Sequence, residues 1–167
     1  MQTLRPDAGS LQIKTYREGV AAKVGHDLVI EVGTWEATMD DEAVELHADS
    51  TSLRVLSGER GVKPLSDHDR DEIIKNIDGK ILRRQPIEFR STAVRRSGDE
   101  LTVEGDLTIA GTTHPVTAHL TRGADGRATG TIPIVQSQWG IKPYRGLMGA
   151  LKVRDDVEIL IDVQLSG

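Results

Sequence analysis

The chain contains no cysteine in its 167 residues. That excludes disulfides, thiolate metal sites and a cysteine nucleophile, without fixing the compartment. Aromatic residues make up only 3% of the chain: Tyr16, Trp35, Phe89, Trp139 and Tyr144. Any apolar interior must therefore be built mainly from aliphatic side chains. No apolar run approaches the ~20 residues that span a bilayer. Met1 to Ser10 holds a single Arg5 and no apolar stretch, which fits neither a signal peptide nor an anchor. The expectation is a cytoplasmic protein with no stable membrane insertion. Clusters of one charge sign are missing too: 21 basic and 26 acidic residues are spread along a chain of net charge −5. Nucleic acid and anionic surfaces are poor partners for such a chain.

Catalytic and metal-binding signatures are equally sparse. The histidines are His26, His47, His68, His114 and His119; none forms an i, i+4 pair or an H-E-x-x-H motif, so no metal site is expected. Gly25-His26-Asp27 looks like part of a charge relay, but neighbours on a strand point to opposite faces, and no serine sits in a G-x-S-x-G elbow. The simpler reading is that His26 opens a strand and hydrogen-bonds locally. The acidic run from Asp67 to Glu72 lacks the glycine and terminal glutamate of a calcium loop. No catalytic residue and no cofactor are expected.

What the chain does have is alternation. Leu101, Val103, Leu107 and Ile109 alternate with Thr102, Glu104, Asp106 and Thr108, with Gly105 in the apolar register. Val157, Ile159, Ile161, Val163 and Leu165 repeat the pattern near the C-terminus. Period-two alternation gives each strand one dry and one wet face, as in antiparallel sheets solvated on one side. Comparable runs cover about residues 10–17, 28–39, 44–56, 87–93, 116–121 and 132–136. The parity change between Leu46 and Leu53 calls for a β-bulge near Asp49–Ser52. Gly98-Asp99 and Gly111 to Pro115 read as turns, and Asp125-Gly126 as a hairpin. Pro133 marks an edge or a bulge, and Gly19 to Gly25 a helical turn or corner. Eight long strands with one dry face point to an all-β, eight-stranded antiparallel barrel, a shape able to hold one ligand. Residues 1–9 read as a tail and 10–167 as the barrel domain.

One segment breaks the pattern. Ile73, Ile74, Ile77 and Ile81 recur at helical spacing, predicting one inserted amphipathic helix over about 66–84. Ser66 or Asp67 would cap it, acids would occupy its first turn, and Gly79 would end or kink it.

Several segments together resemble a known family. They are Gly25-His26-Asp27-Leu28, Pro86-Ile87-Glu88-Phe89-Arg90-Ser91, Leu101 to Ile109 followed by Gly111-Thr112-Thr113-His114-Pro115-Val116, and Gln138-Trp139-Gly140-Ile141. Across about residues 11–165 the chain resembles the YceI-like family. The resemblance implies a lipocalin-like, extended antiparallel barrel with an internal apolar tunnel, and a bound isoprenoid lipid, either a polyprenyl chain or an isoprenoid quinone. Relatives often carry Arg-x-Asp-Phe-Gly where this chain reads Gln136-Ser137-Gln138-Trp139-Gly140, so a polar contact from that arginine and acid does not carry over. The expected ligand-facing residues are Leu28, Ile30, Val32, Phe89, Leu101, Val103, Gly105, Leu107, Ile132, Ile134, Trp139, Leu147 and Met148. Lys142, Arg145 and Lys152 flank Trp139 in sequence, either as ordinary solvated cations or as contacts for an anionic head group. The expected partner is an apolar lipid, and a homodimer is left open. An enzyme using His26 and Asp27, or an interaction module with a vestigial cavity, are the competing readings.

Overall fold

The computed structural model describes residues 1–19, 26–59, 64–146 and 151–166. The N-terminal half carries β1 (Gln2–Leu4), β2 (Gly9–Thr15), β3 (Arg17–Glu18), β4 (Asp27–Val32), β5 (Trp35–Met39), β6 (Val44–Ala48) and β7 (Leu53–Glu59). Helix α1 (Asp67–Asn76) follows and runs into a π-helical turn, Ile77–Ile81. Then come β8 (Ile87–Ser97), β9 (Glu100–Ile109), β10 (Thr112–Arg122), β11 (Arg127–Val135) and a 3-10 turn, Gln136–Trp139. The chain ends with β12 (Arg145–Gly146), β13 (Leu151–Val153) and β14 (Asp156–Gln164). Among the described residues all pairings are antiparallel. One eleven-stranded sheet has the order β1-β5-β6-β8-β9-β10-β11-β14-β2-β4-β7, and β12-β13-β3 make a small second sheet.

The structure is thus mostly β, a curled antiparallel sheet with one helix, but the large sheet has eleven strands rather than eight. The surplus has two causes. The first is β1, which pairs with β5 and puts Leu4 in the core at 7% exposure. Residues 1–9 are therefore not a free tail; three residues are too few to show a periodicity. The second cause is that two long strands are each cut in two, β4 from β5 at Gly33-Thr34 and β6 from β7 at Asp49–Ser52. The Gly33 N–H donates to the Ser52 carbonyl (2.9 Å) and the Asp49 N–H to the Thr34 carbonyl (3.0 Å), so the two cuts face each other. At the second cut a tight turn replaces the expected bulge. The Asp49 carboxylate accepts from the Thr51 N–H (2.8 Å) and hydroxyl (2.6 Å), and these bonds hold its pKa below the ordinary carboxylate value. Beyond the bend, β4 pairs with β2, whereas β6 pairs with β8. Because β5 continues β4 and β7 continues β6, the chain itself links the two ends of the hydrogen-bonded order.

The run β8-β9-β10-β11 is a meander whose burial follows the alternation, most clearly in β9, where Leu101, Val103, Leu107 and Ile109 are all buried. The turn between β9 and β10 is shorter than expected. Ala110 (φ 51°) and Gly111 (φ 80°) take it alone, the two positive φ angles that a tight two-residue hairpin needs, and Thr112 to Pro115 already belong to β10. Strand β11 pairs with β10 only over Ala128 to Thr131, so the two strands part company beyond. Pro115 and Pro133 both lie in the parted stretch, where a missing N–H costs no ladder bond. The 3-10 turn packs against β10 there.

Ser66, as expected, caps α1: its hydroxyl accepts from the Asp69 N–H (3.1 Å) while the Asp69 carboxylate accepts from the Ser66 N–H (3.0 Å), a reciprocal capping box. Gly79 lies inside the π-helical turn rather than ending the helix. An Arg70 guanidinium N–H donates to the Val55 carbonyl (3.3 Å) and one from Arg83 to the Ala110 carbonyl (2.9 Å), so the helical segment is tied to β7 and to the β9–β10 turn. Residues 20–25, where a helical turn or corner was expected, lie outside the described residues.

Candidate ligand-binding cavity

Apolar side chains from all parts of the curled sheet converge on a cavity of about 260 Å³. That is near the lower end of ligand pockets, ~300–1,000 Å³. Among the described residues its wall is aliphatic except for Trp35, Phe89 and three polar residues, Ser10, Thr15 and Gln136. The alternation explains the composition: one face of each strand must be dry, and the curl turns those faces inward. The helix supplies Ile77, Ile81 and Leu82 to the same wall.

The expected ligand-facing residues fall into four groups. Ile30, Val32, Phe89, Leu101, Val103, Leu107, Ile132 and Ile134 line the cavity. Leu28 lines a second, outer pocket of about 530 Å³ between the helical segment, β2, β4, Tyr144 and Val153. Gly105 and Trp139 are in neither wall. Leu147 and Met148 lie outside the described residues.

Gly105 faces inward as expected, but the ring of Phe89 lies over it. A Cβ built there would overlap the Arg90 carbonyl oxygen and two ring carbons of Phe89. The glycine is the seat of an aromatic side chain rather than bare tunnel wall. Trp139 is 1% exposed; its indole N–H donates to the Leu107 carbonyl (2.8 Å) and its ring packs on His114, centroids 5.1 Å apart. Sitting in the parted stretch between β10 and β11, it plugs the sheet instead of facing the cavity.

Sequence reasoning missed Leu4, Trp35, Met39 and Leu46, all in the wall. Trp35, Met39 and Leu46 each follow the alternation of their own strand, but Trp35 and Met39 have the opposite parity to Ile30 and Val32, so a period carried unbroken across Gly33-Thr34 passes them over. The Ile77 and Ile81 stripe was visible as a helix face; its place over the cavity was not.

The polar candidates are engaged structurally. Asp27 is 3% exposed, and its carboxylate accepts from the Arg17 N–H (2.9 Å), pinning β3 to the start of β4. Tyr16 donates a hydrogen bond to Glu158, which chiefly raises its pKa above the ordinary phenol value, while Lys14 and Arg154 approach its ring. Among the described residues no cluster of His, Asp or Glu is placed to hold a metal ion, and no helix is long and apolar enough to cross a membrane.

The fold is shared with solved structures. Burkholderia cenocepacia BcnA superposes with a TM-score of 0.64 at 17% identity, over 92% of this chain and 94% of that one. The Campylobacter jejuni YCEI protein superposes with a TM-score of 0.56 at 12% identity, over 83% of this chain and 84% of that one. No curated protein matches the sequence. The sequence itself matches the YceI-like domain over residues 4–165, nearly its whole length. The chain belongs to the YceI-like family.

Proposed function

We propose that the protein binds one apolar isoprenoid lipid, a polyprenyl chain or an isoprenoid quinone, inside its curled sheet, as a carrier, store or sensor. The observation that carries this reading is the cavity within the curled sheet, whose wall among the described residues is almost wholly aliphatic. Such a wall offers a flexible, methyl-branched chain close contact without demanding a ring. Each ligand methylene moved from water into it contributes roughly 0.8 kcal/mol. Membership of a family associated with polyisoprenoid binding supports the same class of ligand. Catalysis finds less support, because the Asp27 carboxylate is spent on a backbone N–H. Organic extraction of the purified protein, followed by mass spectrometry, tests the proposal. An isoprenoid recovered in about equimolar amount is the expected result. Extracts that hold no lipid, together with no uptake of added isoprenoid alcohols, would overturn it.

A further inference from the structure

The apolar cavity and the outer pocket share part of their walls: Thr15, Ile30, Ile77, Ile81 and Gln136 line both. The two spaces therefore adjoin, and a ligand chain filling the first has the junction within its reach. Thr15 closes β2 at that junction. Its hydroxyl is shielded from solvent and finds no hydrogen-bond partner among the described residues. Buried hydroxyls are paired in nearly all native structures, and one left unpaired is destabilising. Gln136 is less available, because its amide nitrogen already donates to the Arg154 carbonyl (3.0 Å). The charged residues of the outer pocket, Glu72, Lys75 and Lys80, are exposed and stand at the rim, two of them as a Lys75–Glu72 pair (3.5 Å).

Resting on the lipid-binding reading, we propose that the Thr15 hydroxyl is the hydrogen-bonding contact for a neutral, oxygen-bearing head group at the end of the ligand chain. A hydroxyl both donates and accepts, so it meets an alcohol or a carbonyl oxygen equally well. The polar side chains shared by the two pockets are uncharged, and burying an ionised head against them carries a desolvation cost that a neutral head avoids. Thr15 thereby selects the head, while the aliphatic wall accepts the chain.

The test compares geranylgeraniol, the saturated hydrocarbon of the same skeleton and geranylgeranyl monophosphate, each titrated against the full chain and against Thr15→Val and Thr15→Ser. The unaltered protein is expected to bind the alcohol more tightly than either other compound. Thr15→Val should weaken alcohol binding about fivefold, the range of one neutral hydrogen bond, and leave the hydrocarbon unchanged. Thr15→Ser should restore the alcohol. Should Thr15→Val fail to fold, Thr15→Ala carries the same expectation. Equal effects on alcohol and hydrocarbon, no effect on either, no rescue by serine, or tighter binding of the monophosphate would each overturn the head-group assignment while leaving the lipid-binding reading in place. Failure of the unaltered protein to bind any of the three would overturn both.

Discussion

A glycine on the inner face of a strand serves either an approaching ligand or an approaching part of the protein, and Gly105 serves the second. Phe89 and the Arg90 carbonyl occupy the space a side chain would need. Gly105→Leu must push both aside, and overpacking of this kind typically costs ~1–3 kcal/mol. The expected outcome is a lower urea midpoint for Gly105→Leu, and a smaller loss when Phe89 is shortened in the same chain by Phe89→Leu. Equal losses in both backgrounds would show that Phe89 is not the obstruction. Trp139 is a second residue whose role is packing. Trp139→Phe keeps the ring but leaves the Leu107 carbonyl without its indole donor, a change of about 1–3 kcal/mol for a buried unpaired group. Denaturant unfolding measures it. Inward parity at Gly105 was plain in the sequence, whereas Trp139 lies in a 3-10 turn and has no strand parity; what stands against each was not legible, because Phe89 lies across the neighbouring strand and Leu107 lies 32 positions away.

Among elements, the helical segment lends itself best to prediction, since its cap and its apolar stripe do different work. The stripe forms part of the cavity wall, and the capping box fixes where the helix begins. Ser66→Ala removes one of the two reciprocal bonds, at about 1 kcal/mol in stability, read from the shift in thermal midpoint. Its partner Asp69 gives the cap a pH dependence. Hydrogen bonding by the Ser66 N–H, then by its hydroxyl, lowers the Asp69 pKa from the ordinary aspartate value. A lowered folded-state pKa means stability that is complete above the ordinary value and lost as pH falls through the depressed one. The hydrogen-exchange protection of α1, taken relative to the intrinsic rate at each pH, should therefore fall below about pH 4, and Asp69→Asn should remove that acid dependence.

The strands and the helix were legible because period two and period 3.6 are local signals. The two cuts, at Gly33-Thr34 and at Asp49–Ser52, were legible only as a parity change. A bulge and a tight turn both correct parity, and the choice depends on the facing strand, here through the Gly33–Ser52 and Asp49–Thr34 bonds. Strand β1 had no local signal, because Gln2, Thr3 and Leu4 form a strand only by pairing with Met39, Thr38 and Ala37.

At the scale of the whole molecule, the sheet leaves space at its centre, and the account stands on what that space is for. If it holds a chain, binding should tighten with chain length until the space is filled. Each added methylene is worth up to about fourfold in Kd, from roughly 0.8 kcal/mol of burial. A series of isoprenoid alcohols of increasing length, titrated under identical conditions, should show a rise and then a plateau. The inward alternation of Ile30, Val103, Leu107 and Ile134 was readable in the sequence, but a filled core and a tunnel share that pattern; only the folded wall distinguishes them. The most direct measurement is native mass spectrometry with geranylgeraniol on the unaltered protein and on Ala118→Phe. Ala118 is a small buried residue on the cavity wall, and a ring placed there fills the space a ligand chain would take. The account predicts a one-to-one complex for the unaltered protein and none for Ala118→Phe, with the substituted protein still folded and not markedly less stable. A complex that persists undiminished in folded Ala118→Phe would contradict it, as would the absence of any complex with the unaltered protein.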